Sequence, residues 1–133
     1  MPDRWIAQMV RRSTQPTGII LFASEQIWPN IASLEHARRR RGFQNVHIIH
    51  TDNSLKSKAP AVRLQKFCLN RYQQVAELHE IKPDPQTIHD LLLQIIDRLP
   101  GNRWIINATG GLKLMLVGVL SLPPSDAIDI IYR

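Results

Sequence analysis

Apolar and polar positions along this chain follow two alternating periods. Short apolar runs at residues 18–23 (GIILFA), 46–50 (VHIIH), 103–108 (RWIINA) and 127–132 (AIDIIY) have the length of buried strands. Residues 75–81 (VAELHEI) alternate apolar and polar, as a half-buried strand near a sheet edge does. Helical spacing lies between them. Residues 30–41 predict a helix with Ile31 and Leu34 inward, Pro29 in its first turn and Gly42 as its stop. Residues 59–72 predict a second, with Leu64, Phe67 and Cys68 inward. Asp84-Pro85 is a helix start, an acidic cap followed by a ring already set to helical φ; Ile88, Leu91, Leu92, Ile95 and Leu99 then mark one face, and Pro100-Gly101 ends it. Residues 113–122 predict the last helix.

Strand and helix in strict alternation imply an α/β fold. The expected form is a Rossmann-like three-layer α/β/α sandwich around a mostly parallel sheet. Such sheets bind ligands beyond the carboxyl ends of their strands. Three polar loops belong there: Ser24-Glu25-Gln26, Thr51-Asp52-Asn53 and Thr109-Gly110-Gly111. Far apart in sequence, they are expected on one rim. Residues 1–17 form a basic N-terminal extension, and residues 18–133 form the domain.

Composition narrows the class. The chain has 133 residues, 44% of them hydrophobic, enough for one core. It has no long uncharged apolar stretch and no leader-like start, and its single cysteine excludes an intramolecular disulfide and a multi-cysteine zinc site. These features point to the cytoplasm. The net charge of +6 is uneven: residues 1–82 hold 13 Lys and Arg against 6 Asp and Glu, whereas residues 83–133 hold 4 against 5. A basic first part favours anionic partners without naming one.

The chemistry concentrates in residues 103–120 (RWIINATGGLKLMLVGVL). A strand ending in a Gly-Gly turn before a helix presents backbone N–H groups at a positively polarised helix end, and Lys113 adds a full charge there. The turn lacks the residues of a Walker A loop, since Leu114 follows Lys113, and no GxGxxG is present. On these grounds an anion cradle and a plain connecting turn fit equally.

A resemblance separates them. Asn107-Ala108-Thr109-Gly110-Gly111-Leu112-Lys113-Leu114-Met115 resembles the Asn-x-Thr-Gly-Gly-Thr-Lys-x-Met signature of CRISPR-associated Rossmann fold (CARF) domains, and is most similar to the branch fused to restriction-type nucleases. Ser24-Glu25-Gln26 followed by Pro29-Asn30 is similar to that branch's Ser-x-Gln-x-x-Pro-Asn element after its first strand. Leu112 departs from the pattern where a second threonine is usual. The resemblance covers about residues 18–133. It implies a sensor of cyclic oligoadenylates, the second messengers of type III CRISPR antiviral defence. Cyclic tetra-adenylate is the usual ligand, lying across the two-fold axis of a homodimer.

The expected ligand-binding residues are Ser24, Glu25, Gln26, Asn30, Asp52, Asn53, Asn107, Thr109, Gly110, Gly111 and Lys113. The glycines admit phosphate, Thr109 gives a hydroxyl and Lys113 a charge; Ser24, Glu25 and Gln26 read ribose or adenine. Asn30 and Asn107 have a second reading, as ties between loops. Asp52 and Asn53 rest only on the strand-end argument. No metal and no further cofactor is expected.

The dimer has independent support, because the last helix is apolar nearly all round and needs cover on two sides. Gly118 would admit another subunit's backbone; the alternative cover is residues 1–17. The chain ends at Arg133 with no effector after it, so a fused or separate effector is the expected partner, and neither a membrane nor polymeric nucleic acid is. Two rival functions remain. One is metal-independent cleavage of the ring, with Lys113 as the catalytic candidate and no histidine expected in the site. The other is a basic nucleic-acid-binding regulator using Arg38-Arg39-Arg40-Arg41, a run that also fits a solvated helix end. His47 and His50 should point to opposite faces of their strand and make no metal pair, while Cys68 and Trp104 should pack in the core.

Overall fold

A computed structural model describes residues 15–51, 55–111 and 113–132. Among the described residues five strands, β1 (Thr17–Phe22), β2 (Asn45–Thr51), β3 (Glu77–Ile81), β4 (Arg103–Asn107) and β5 (Ile128–Ile131), alternate with four helices, α1 (Trp28–Arg40), α2 (Leu55–Tyr72), α3 (Pro85–Arg98) and α4 (Lys113–Leu120). The sheet is parallel throughout, in the order β3-β2-β1-β4-β5. This is the expected Rossmann-like α/β fold. Among the described residues no helix is long and apolar enough to cross a membrane.

The period of two along each strand divides the core. Ile19, Leu21, Val46 and Ile48 face α1 and α2, packing on Leu34, Ala37, Ala61, Leu64 and Cys68. Ile20, Phe22, Ile49 and Ile106 face α3 and α4, packing on Ile88, Leu92, Ile95, Met115 and Val119. The all-apolar run of β1 follows from its central place, covered on both faces. Trp104 is buried, as expected. Its ring occupies the space above Gly18, where a Cβ would stand 2.3 Å from the indole.

Boundaries differ from expectation where side-chain chemistry overrides the pattern. Thr17, placed in the extension, is the first residue of β1, with its N–H donating to Gln44 Oε1 at 2.7 Å. Helix α2 begins at Leu55 and contains Pro60, so the proline lies inside the helix and not beside its first residue. Leu99, expected on the inner face of α3, is its C-cap and is partly exposed. Asp84 caps α3 as expected, accepting from the N–H groups of Gln86 and Thr87. Gly42 ends α1 at φ +72°, with its N–H on Ala37 O. Residues 1–14 of the extension lie outside the described residues.

Candidate functional site

Strand order reverses between β1 and β4. The connection leaving β1 feeds α1 on one face, and the one leaving β4 feeds α4 on the other. A crevice at the carboxyl ends of these two strands is the usual ligand position in this architecture. Register sets the rim: Leu21 pairs with Asn107 and Phe22 with Ile49, so Ser24, Thr51 and Thr109 leave the sheet at about one level.

The β1 and β4 loops touch through their backbones. A Cβ on Gly110 would lie 2.2 Å from Phe22 O and 3.2 Å from Ser24 Oγ. A Cβ on Gly111 would meet Ala108 O at 3.3 Å, a tight contact but not a collision. Neither glycine has a positive φ, so the turn needs their small size and not their backbone freedom. Gly110 is thus required by loop packing itself.

Asn30 and Asn107 are buried and tie the rim together. Asn107 Nδ2 donates to Ser33 Oγ at 2.7 Å and lies 3.3 Å from Pro29 O and 3.4 Å from Asn30 Oδ1. Its Oδ1 accepts from the Thr109 N–H at 3.1 Å. Asn30 Nδ2 donates to Phe22 O at 3.0 Å. Of their two sequence readings, the loop-tying one describes the bonds they make.

The anion-binding donors are fewer than the sequence suggested. The Thr109 N–H is engaged by Asn107, and the Gly111 N–H donates to Ala108 O at 3.0 Å. What the bend presents to an anion is the first turn of α4, whose N–H groups lack intrahelical acceptors, with exposed Lys113 as its first residue. Across the rim, Ser24 Oγ donates to Gln26 O at 3.1 Å, and Glu25 and Gln26 are exposed. Thr51, buried, takes Ser57 Oγ on its N–H, and Ser57 donates to Ala23 O, which joins the β2 end to the β1 loop. Asp52, Asn53 and Leu112 lie outside the described residues.

A cleft of about 370 Å³ opens beside the bend, lined by Pro29, Ser33, His36, Asn107, Thr109 and Ile131 among others. Sequence reasoning missed three residues here. Ser33 sits one turn after Asn30, and that helical spacing could have found it. His36 lines the cleft with Thr109, against the expectation of a histidine-free site; it carries no local sequence signal. Trp28, 74% exposed, starts α1 directly after the β1 loop and offers an uncovered aromatic face near the rim.

Leu114, Val117 and Leu120 run along the outer side of α4 and are 60, 55 and 63% exposed, while Met115 and Val119 face the core. Gly118 has a different role from the one expected. A Cβ there would lie 2.5 Å from Pro85 O and 2.9 Å from Ile88 Cβ, so the backbone it admits belongs to α3 of the same chain.

The remaining candidates have ordinary places. Arg38, Arg39 and Arg40 are exposed in the last turn of α1, and the Arg38 guanidinium lies 5.4 Å over the Tyr72 ring. His47 and His50 alternate across the sheet as expected. Cys68 is wholly buried, which pushes its thiol up to about 11, so it is a core residue and not a nucleophile.

Fold and rim together define a Rossmann-like domain with a polar, cation-bearing crevice at its topological switch point. Residues 19–132 match the family model described as the Card1 CARF domain. The chain belongs to the CARF family, the CRISPR-associated Rossmann fold domains. No curated protein matches it significantly. Membership carries the expectation of cyclic oligoadenylate sensing in type III CRISPR systems.

Proposed function

We propose that this chain binds cyclic tetra-adenylate across a homodimer and relays its presence to an effector. The supporting observation is the backbone contact between the Ser24 and Gly110 loops, with Lys113 exposed at the same rim. Phosphates would sit at the first turn of α4, held by Lys113 and the Thr109 hydroxyl. Ser24, Glu25 and Gln26 would face ribose and adenine. The Leu114–Val117–Leu120 stripe continues from the same helix, so pairing through it would bring two phosphate-binding ends beside one two-fold axis. As a nucleotide sensor the protein would act in the cytoplasm.

The test is a thermal shift against rings of three, four and six adenylates. A ligand that binds only the native state raises the melting temperature by mass action. The expected result is a rise with the four-membered ring that Lys113→Ala sharply reduces. Light scattering should give a dimer for the parent chain and a monomer for Val117→Glu. No shift with any ring would overturn the reading.

Ring cleavage is the second reading, and His36, which lines the same cleft as Thr109, favours it. The ribose 2′-hydroxyl would attack the adjacent phosphorus as an imidazole takes its proton; the P–O5′ bond breaks, the departing 5′-oxygen is protonated, and the opened ring ends in a 2′,3′-cyclic phosphate. Chromatography of cyclic tetra-adenylate after incubation separates the two. Linear products lost in His36→Ala would make the domain an enzyme, and an intact ring leaves it a sensor.

A further inference from the structure

At the end of the sheet opposite the glycine bend, three ligand-type side chains meet between adjacent strands. His47 on β2 pairs in register with Glu77 on β3, and His79 follows two residues later on the same face. His47 Nδ1 lies 2.9 Å from His79 Nε2 and 3.5 Å from Glu77 Oε2, and His79 Nε2 lies 3.9 Å from Glu77 Oε1. The two rings are stacked, with centroids 5.2 Å apart. Both imidazoles are largely buried, whereas Glu77 is half exposed. A cleft of about 300 Å³ reaches His47 and Glu77 from solvent.

We propose that His47, Glu77 and His79 form a site for a divalent transition metal of the zinc type. Tetrahedral zinc with ligand bonds of about 2.0–2.2 Å places its donor atoms about 3.3–3.6 Å apart; the two imidazole nitrogens stand 2.9 Å apart, and the nearest Glu77 oxygen lies 3.5 Å from one and 3.9 Å from the other. Two imidazoles and one carboxylate are a zinc donor set, and the cleft supplies room for a water as fourth ligand. The fixed parts are in place. Trp104 packs 5.7 Å from the His47 ring, and Arg98 Nη1 holds the Glu77 carboxylate at 3.1 and 3.2 Å, as an outer-shell donor does. A cation here would pin β3, an edge strand, to β2. The site is independent of the nucleotide reading, because it lies at the other end of the strands.

The test is calorimetric titration of the full chain, freed of metal, with Zn²⁺ alone, alongside its melting temperature. The expected result is one ion per chain and a melting temperature raised by several degrees. Glu77→Gln, at a half-exposed position that does not threaten folding, should weaken binding at least tenfold, and His79→Gln should abolish it. His36→Gln and His89→Gln, at other histidines, should leave it unchanged. No zinc uptake by the parent chain, or uptake that Glu77→Gln and His79→Gln leave unaltered, would overturn the proposal.

Discussion

Gly118 of α4 lies against Pro85 of α3 so closely that a methyl group at 118 would stand 2.5 Å from the Pro85 carbonyl oxygen. Two effects compete when alanine is placed there. Alanine is favoured over glycine inside a helix by about 1 kcal/mol. Forcing a methyl into a packed contact costs about 1–3 kcal/mol, and here the obstacles are a backbone oxygen and the Ile88 Cβ, neither able to swing aside. Gly118→Ala should therefore be net destabilising, read as a lower urea midpoint with unchanged slope.

The two glycines of the bend should separate packing from binding. Gly110→Ala drives a methyl onto Phe22 O, at 2.2 Å, and should cost about 1–3 kcal/mol of stability or more. Gly111→Ala meets its nearest neighbours at 3.3 and 3.4 Å and should fold with a loss under about 1 kcal/mol. Any loss of ring affinity in Gly111→Ala then reports on the rim and not on the fold. Chemical denaturation and ligand titration of both variants check this.

Asn107 allows a sharper comparison. Its amide nitrogen faces three oxygens, and its oxygen takes the Thr109 N–H. Asn107→Ala should cost about 1–3 kcal/mol by leaving buried groups without partners. Asn107→Asp should be worse despite its matching shape, because it sets a carboxylate against Pro29 O and Asn30 Oδ1. Equal stability of the two variants in urea melts would contradict this assignment.

Stability should also follow one carboxylate between the helices of the α1–α2 face. Glu35 on α1 accepts from Arg71 Nε at 3.1 Å and Tyr72 OH at 2.7 Å on α2, and these donors, the guanidinium first, hold it below its ordinary value of 4.5. A depressed folded-state value means the contribution is complete above the unfolded value and is lost as pH falls through the folded one. Glu35→Gln should melt below the parent near neutral pH, and the two curves should converge as pH falls past 4.5 and on through the depressed folded-state value. Melting curves across that range decide it.

Much of this was legible in the chain. The 3.6-residue spacing from Ile88 to Ile95 and the Asp84-Pro85 start placed α3, because both signals act within one helix. The apolar run of β1 marked a buried strand, and strand ends placed the rim. Four things were not legible, each for a physical reason. The engagement of the Thr109 and Gly111 N–H groups depends on how the turn closes. The partner of Gly118 depends on helix packing. The His47–Glu77–His79 cluster depends on the register of β2 against β3, which sequence spacing does not encode. The place of His36 depends on how α1 lies against β4 and β5, since it shares its cleft with Ile105, Asn107 and Ile131.

The Gly18–Trp104 contact has a consequence for how this domain can vary. The indole fills a space that β1 leaves empty by having no side chain at that position. The two strands thus divide one fixed volume between neighbouring positions. A relative that gains a side chain at position 18 must give up a comparable bulk at position 104, and one that shrinks the indole must refill the void from the opposite strand.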